Sequence, residues 1–152
     1  MDERAFARTA EAYASRLYSV AHRLLGNRAD AEDAVQRALL KAFEARESYV
    51  SRWAVSTWLY RVLTNVCIDE LRRRRRTPPD APPRGRTGAE VERVDLARAL
   101  ETVPREARVL LALHYVNGLG YRELATIRGI SVNTVKSQLA RGKAILKRTL
   151  EE

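Results

Sequence analysis

The chain has 152 residues, with Lys+Arg 28 against Asp+Glu 19 and a net charge of +9. That excess suits a polyanionic partner and a salt-sensitive affinity. Its single cysteine, Cys67, excludes an intrachain disulfide or a cysteine zinc site, and the isolated His22 and His114 supply neither metal-ligand spacing nor a nucleophile–base pair. No apolar run is long enough for a signal peptide or a membrane span, so the expectation is a cytoplasmic protein without membrane insertion, metal or cofactor.

No useful length of the chain alternates with period two, and the reading is all-α. Phe6, Tyr13, Leu17, Val20, Ala21 and Leu24 form a helical stripe that ends at Gly26-Asn27. Asn27 or Asp30 can cap a second helix, whose acidic first turn suits its dipole. Its apolar side is Ala31, Val35, Ala38, Leu39, Ala42 and Phe43. Another face carries Asp30, Asp33, Gln36, Arg37 and Leu40. A solvated face is the default for such residues, yet Leu40 beside Leu39 leaves one leucine pointing away from the core, as a protein-docking face would.

A third helix is expected to begin near Ser51 or Ser56 and to turn Trp58, Leu59, Val62, Leu63 and Val66 inward, with Cys67 in an apolar role. Opposite them, Arg61, Asn65, Asp69, Arg72, Arg73 and Arg76 recur every three or four residues. A salt-bridged solvent face would read the same way, because Asp69 can pair with Arg72 or Arg73. Asn and Arg are, however, the residue types that pair with base edges and phosphates. Trp53, Trp58 and Tyr60 at the start of this helix could add stacking against single-stranded nucleic acid, although core packing explains Trp58 equally well.

Residues 77–89, rich in Pro, Gly and Arg, have almost nothing to bury and read as a flexible linker with a stiffer proline half. They separate two small helical domains, 1–76 and 90–152, each with a core small enough to gain order from a partner. Val91, Val94, Leu96 and Leu100 begin the second domain, and Pro104 can open a helix that turns Val109, Leu110, Leu113 and His114 inward. Then Tyr121-Arg-Glu-Leu-Ala125 breaks at Gly129, and Ser131 is placed to cap a basic helix. Leu124, Ile130, Val135 and Leu139 are spaced to fill the angle between the two. This is a helix-turn-helix, whose second helix enters the DNA major groove. With Val132, Val135 and Leu139 inward, Asn133, Thr134, Lys136, Ser137 and Arg141 project outward, and Lys143 extends the basic edge.

The whole order resembles the extracytoplasmic-function (ECF) sigma factors of bacterial RNA polymerase. The first lobe is similar to their region 2 in Leu24 to Gln36, in Thr57 to Asn65, and in Ile68-Asp69 with Leu71-Arg-Arg73. The second is similar to region 4 in Val103-Pro-Arg105, Glu123-Leu-Ala125 and Thr134-Val-Lys-Ser137. The resemblance implies a non-enzymatic subunit that binds core RNA polymerase and promoter DNA under the control of an anti-sigma factor. Asp30, Asp33, Gln36, Arg37 and Leu40 would then dock on the polymerase. Trp53, Trp58, Arg61, Asn65, Asp69, Arg72 and Arg73 would hold the melted minus-10 element, with Asn65 near the flipped base. Ser131, Asn133, Thr134, Lys136, Ser137, Arg141 and Lys143 would read the minus-35 element.

The chain departs from the family pattern at several positions. Arg37 stands where the family usually has an acid, Phe43 where it has tryptophan, and Thr64 where arginine is common. Arg128 replaces an apolar residue before the helix-turn-helix glycine, and Gln138 replaces an arginine. The alternative reading is a stand-alone helix-turn-helix regulator of the LuxR type. Such a protein needs a receiver domain of alternating strands and helices, and the first lobe has no such pattern. A nucleic-acid enzyme would need clustered carboxylates or a metal site, whereas Glu32 and Asp33 are explained by the helix dipole.

Overall fold

The computed structural model describes residues 1–49, 54–74, 96 and 98–151. The expected linker 77–89, both domain boundaries, Trp53 and Arg76 lie outside the described residues. Within them the chain forms six α-helices and one short 3-10 turn: α1 (Glu3–Leu25), α2 (Arg28–Glu44), the turn Arg46–Ser48, α3 (Val55–Arg74), α4 (Arg105–Asn117), α5 (Tyr121–Arg128) and α6 (Val132–Glu151). Residues 98–101 are also helical and lead into α4.

The first three helices pack as one lobe. Asp2 caps α1, accepting from the Ala5 amide at 2.7 Å, and Asn27 caps α2, accepting from the Asp30 amide at 2.8 Å. Between them Gly26 adopts the left-handed conformation that ends α1. The inward side of α2 is a ladder of small residues, Ala31, Ala34, Ala38 and Ala42, all buried, so α1 can approach closely and set Leu17, Val20, Ala21 and Leu24 into the gap. Phe6 meets Phe43 edge-on at 5.4 Å between ring centroids and Trp58 at 6.5 Å, closing the far end.

Half of the residues of α3 are buried. Leu59, Leu63, Val66 and Cys67 face the first lobe's core, while Thr57, Tyr60, Thr64, Ile68 and Leu71 are covered as well. A helix with one solvated side would leave some of these exposed. The cover on α3 comes from both lobes, because α5 packs across it and α4 packs against α1.

The second lobe is α4, α5 and α6 around Val109, Leu110, Leu113, Leu124, Ile127, Val135 and Leu139. Gly129 takes φ 66°, a left-handed backbone that a side chain would strain, and this lets α5 turn sharply into α6. Ser131 Oγ then accepts from the Thr134 amide at 3.0 Å, capping α6 as its sequence position suggests. Gly142 of α6 is buried where α6 crosses α4, and a Cβ there would lie 3.0 Å from Leu111 Cδ1 and 3.2 Å from Ala107 Cβ. The sequence held one signal for this crossing, a glycine inside a helical pattern.

Candidate nucleic-acid interface

On α6, Asn133, Thr134, Lys136, Ser137 and Arg141 are all exposed, while Val135 and Leu139 on the reverse side are buried. The inward apolar pair fixes the helix roll, and the polar set is therefore presented outward as one surface. Ser131 is spent on the cap and also lies 2.9 Å from Thr134 Oγ1. Lys143 leans toward α4 instead, its Nζ 5.6 Å from the centre of the Tyr115 ring. The Tyr115 side chain beside it raises the Lys143 pKa. Gln138 is half-buried at the edge of the same helix.

On α3 the expected basic stripe is present, and its members differ in how they are engaged. Asp69 pairs with Arg72 at 3.8 Å and Arg73 pairs with Glu70. Trp58 is 9% exposed and packs between Phe6 and Tyr49, so it belongs to the core and offers no open ring face for stacking. Arg61 and Asn65 lie at the end of the stripe met by the second lobe. Arg61 Nη1 donates to the Thr126 carbonyl in the last turn of α5 at 3.2 Å. Arg128 Nη1 donates to both Thr64 Oγ1 and Asn65 Oδ1, each at 3.1 Å. The other edge of the Arg128 guanidinium grips Glu106 of α4, with Nε to Oε2 at 3.1 Å and Nη2 to Oε1 at 2.8 Å.

The face expected to dock a protein is more structured than its sequence suggested. Leu40 is 59% exposed while Leu39 is partly buried, so Leu40 is the leucine turned away from the core. Asp33, Gln36 and Leu40 are open, and Arg37 reaches Asp33 at 3.4 Å, partly neutralising it from the next turn. Asp30 holds the lobe together. The Asn27 amide donates to its Oδ2 at 3.0 Å, and this bond, with Arg74 beside it, holds the carboxyl below the usual range against the opposing effect of partial burial. Arg74 also donates to the Leu25 carbonyl at 2.7 Å, tying the end of α3 to the α1–α2 turn.

No group of three or more His, Cys, Asp or Glu among the described residues could hold a metal ion. None of the helices of the described residues is long and apolar enough to cross a membrane. Cys67 is fully buried, and burial pushes its thiol pKa up to about 12. A thiol held protonated in this way is a packing group. Arg128 and Glu106 were missed as interface residues by sequence reasoning, because contacts between residues so far apart in the chain follow no shared period.

Comparison with known proteins matches residues 9–77 to Sigma-70 region 2 and residues 93–146 to Sigma-70, region 4. The chain is 30% identical to the ECF RNA polymerase sigma factor SigW of Bacillus subtilis, over 99% of this chain and 91% of SigW. It is 34% identical to the ECF RNA polymerase sigma factor SigE of Mycolicibacterium smegmatis, over 89% of this chain, and spans 57% of that protein's length. In structure it superposes on CnrH, solved in complex with the cytosolic domain of CnrY, with a TM-score of 0.80 at 23% identity, over 99% of this chain and 90% of CnrH. It also superposes on the sigma factor RpoE of Bartonella quintana, solved in complex with the anti-sigma factor NepR, with a TM-score of 0.75 at 24% identity and 96% coverage of each chain. At these identities both structures speak to the fold.

Proposed function

Because the chain belongs to the ECF sigma factors of bacterial RNA polymerase, we propose that it is a promoter-specificity subunit that binds core polymerase, reads a two-part promoter and helps open it. It acts by binding and recognition and works in the cytoplasm, where the polymerase is. The observation that carries the reading is the presence of two polar, basic faces on separate helices of one chain. One is the outward set on α6, and the other is the Arg61–Asn65 end of the stripe on α3.

In this reading Asn133, Thr134, Lys136, Ser137 and Arg141 meet the minus-35 element in the major groove, with Ser131 holding the start of the helix and Lys143 at its edge. Asn65 reads a base extruded from the minus-10 element, and Arg61, Arg72 and Arg73 steady the backbone. Extruding a base costs a few kcal/mol, which hydrogen bonds to its freed edge offset. Asp33, Gln36, Arg37 and Leu40 form the polymerase-docking face, with Asp30 fixing its base. Trp53 joins the minus-10 surface, and Trp58 supports it from the core. An anti-sigma factor, of the kind bound to the RpoE relative, silences the protein until it is needed.

Competition with the primary sigma factor for core polymerase tests the assignment. Tight, mutually exclusive binding is expected. Binding to duplex DNA alone, without polymerase, would instead make the protein a stand-alone regulator. Asn65→Ala is expected to impair opening and minus-10 choice while core binding survives, and loss of core binding by that variant would remove Asn65 from the DNA site.

A further inference from the structure

Resting on the minus-10 assignment above, we propose that the second lobe is a built-in cover for that surface and that Arg128 is its latch. Two separate contacts converge on it. The carboxyl end of α5 offers the Thr126 carbonyl to Arg61, so the negative end of a helix dipole sits on an arginine of the proposed DNA stripe. The Arg128 guanidinium occupies Asn65 Oδ1, an acceptor that a base edge would need. Thr64, whose hydroxyl takes the remaining Arg128 bond, is fully buried beneath it.

The latch is aimed. Glu106 holds two guanidinium nitrogens from within the second lobe, and the Arg128 side chain is only 10% exposed. Arg128 is therefore oriented before it reaches across, and its charge is balanced on its own side. Thr64 and Arg128 touch each other directly. An arginine at position 64 would set like charges together, whereas a threonine accepts. The recognition face of α6 stays open in the same conformation, so the cover acts on one DNA face and spares the other. Binding to the minus-10 surface must then draw on a minority open form, and apparent affinity falls by that form's population.

The experiment uses the full chain. Small-angle X-ray scattering compares the wild type with Arg128→Ala and with Thr64→Arg, which leaves the second lobe's own contacts untouched. Both variants are expected to show a larger radius of gyration. Fluorescence anisotropy with a labelled 12-nucleotide single-stranded DNA pool of degenerate sequence then compares wild type, Arg128→Ala and Arg128→Ala/Asn65→Ala. Arg128→Ala is expected to bind about 10-fold tighter or more, as for an open form of at most about a tenth of the molecules. Adding Asn65→Ala is expected to cancel the gain. Unchanged scattering in both variants would overturn the latch, and so would expansion without tighter binding. A gain that survives Asn65→Ala would support the latch and remove Asn65 from the DNA site.

Discussion

Asp30 shows how one side chain can be given two tasks. As a member of the proposed docking face it should be free, yet Asn27 and Arg74 hold it, and through Arg74 it fastens α3 to the α1–α2 turn. Its lowered pKa carries a sign. A carboxylate that is more acidic folded than unfolded contributes stability above its unfolded pKa, about 3.9, and loses that contribution as pH falls through the folded value. With the Asp30 side chain 41% exposed and that of Arg74 35% exposed, solvent screening limits the contribution to about 1 kcal/mol or less. Urea unfolding at pH 6 and at pH 3 is therefore expected to separate wild type from Asp30→Asn at the higher pH and to bring them together at the lower. A difference that stays constant across that range would mean that Asp30 acts through shape and not through charge.

At the scale of elements, most of the fold was legible because it is written locally. The stripes of α1 and α2, the Asn27 cap, the Pro104 entry to α4 and the Gly129–Ser131 turn each depend on residues a few positions apart, and the helices stand where those patterns put them. Tertiary crossings leave weaker marks. Trp58 looked equally suited to stacking and to the core, and only the positions of Phe6 and Tyr49 decide it. Gly142 is a sharper case, because its role is to be absent where α6 crosses α4. Ala107 Cβ is fixed to its helix and cannot swing aside, so Gly142→Val is expected to cost about 1–3 kcal/mol through overpacking. The loss should appear as a lowered thermal midpoint together with weaker duplex binding, since the displaced element is the proposed recognition helix. An unchanged midpoint would show that α6 can shift without cost.

Across the whole molecule, the sequence suggested two lobes on a tether, each gaining order from a partner, and the partner in this conformation is the other lobe. Nothing in the sequence announced it. The contacts join residues such as Thr64 and Arg128, or Tyr60 and Asn117, that are remote along the chain and follow no shared period. Asn117 at the end of α4 donates to Tyr60 Oη at 2.8 Å and to the Arg16 carbonyl at 3.0 Å, so one amide joins the second lobe to both α1 and α3. Burial raises the Tyr60 pKa, which keeps its oxygen a neutral acceptor at ordinary pH. Asn117 lies outside both proposed DNA faces and touches neither Asn65 nor Arg128, so it reports on the coupling of the lobes independently of the latch. Small cores of this kind supply about 3–5 kcal/mol alone, and two of them unfold together only while their interface holds. Asn117→Ala removes two hydrogen bonds, each worth about 0.5–1.5 kcal/mol, and strands a carbonyl and a phenol at the seam. Calorimetry is expected to show one transition for the wild type and two, or one markedly broadened, for the variant. A single transition of unchanged width would mean that the apolar contacts of α4 with α1 bind the lobes without this amide, leaving the cover over α3 to depend on Arg128 and Arg61.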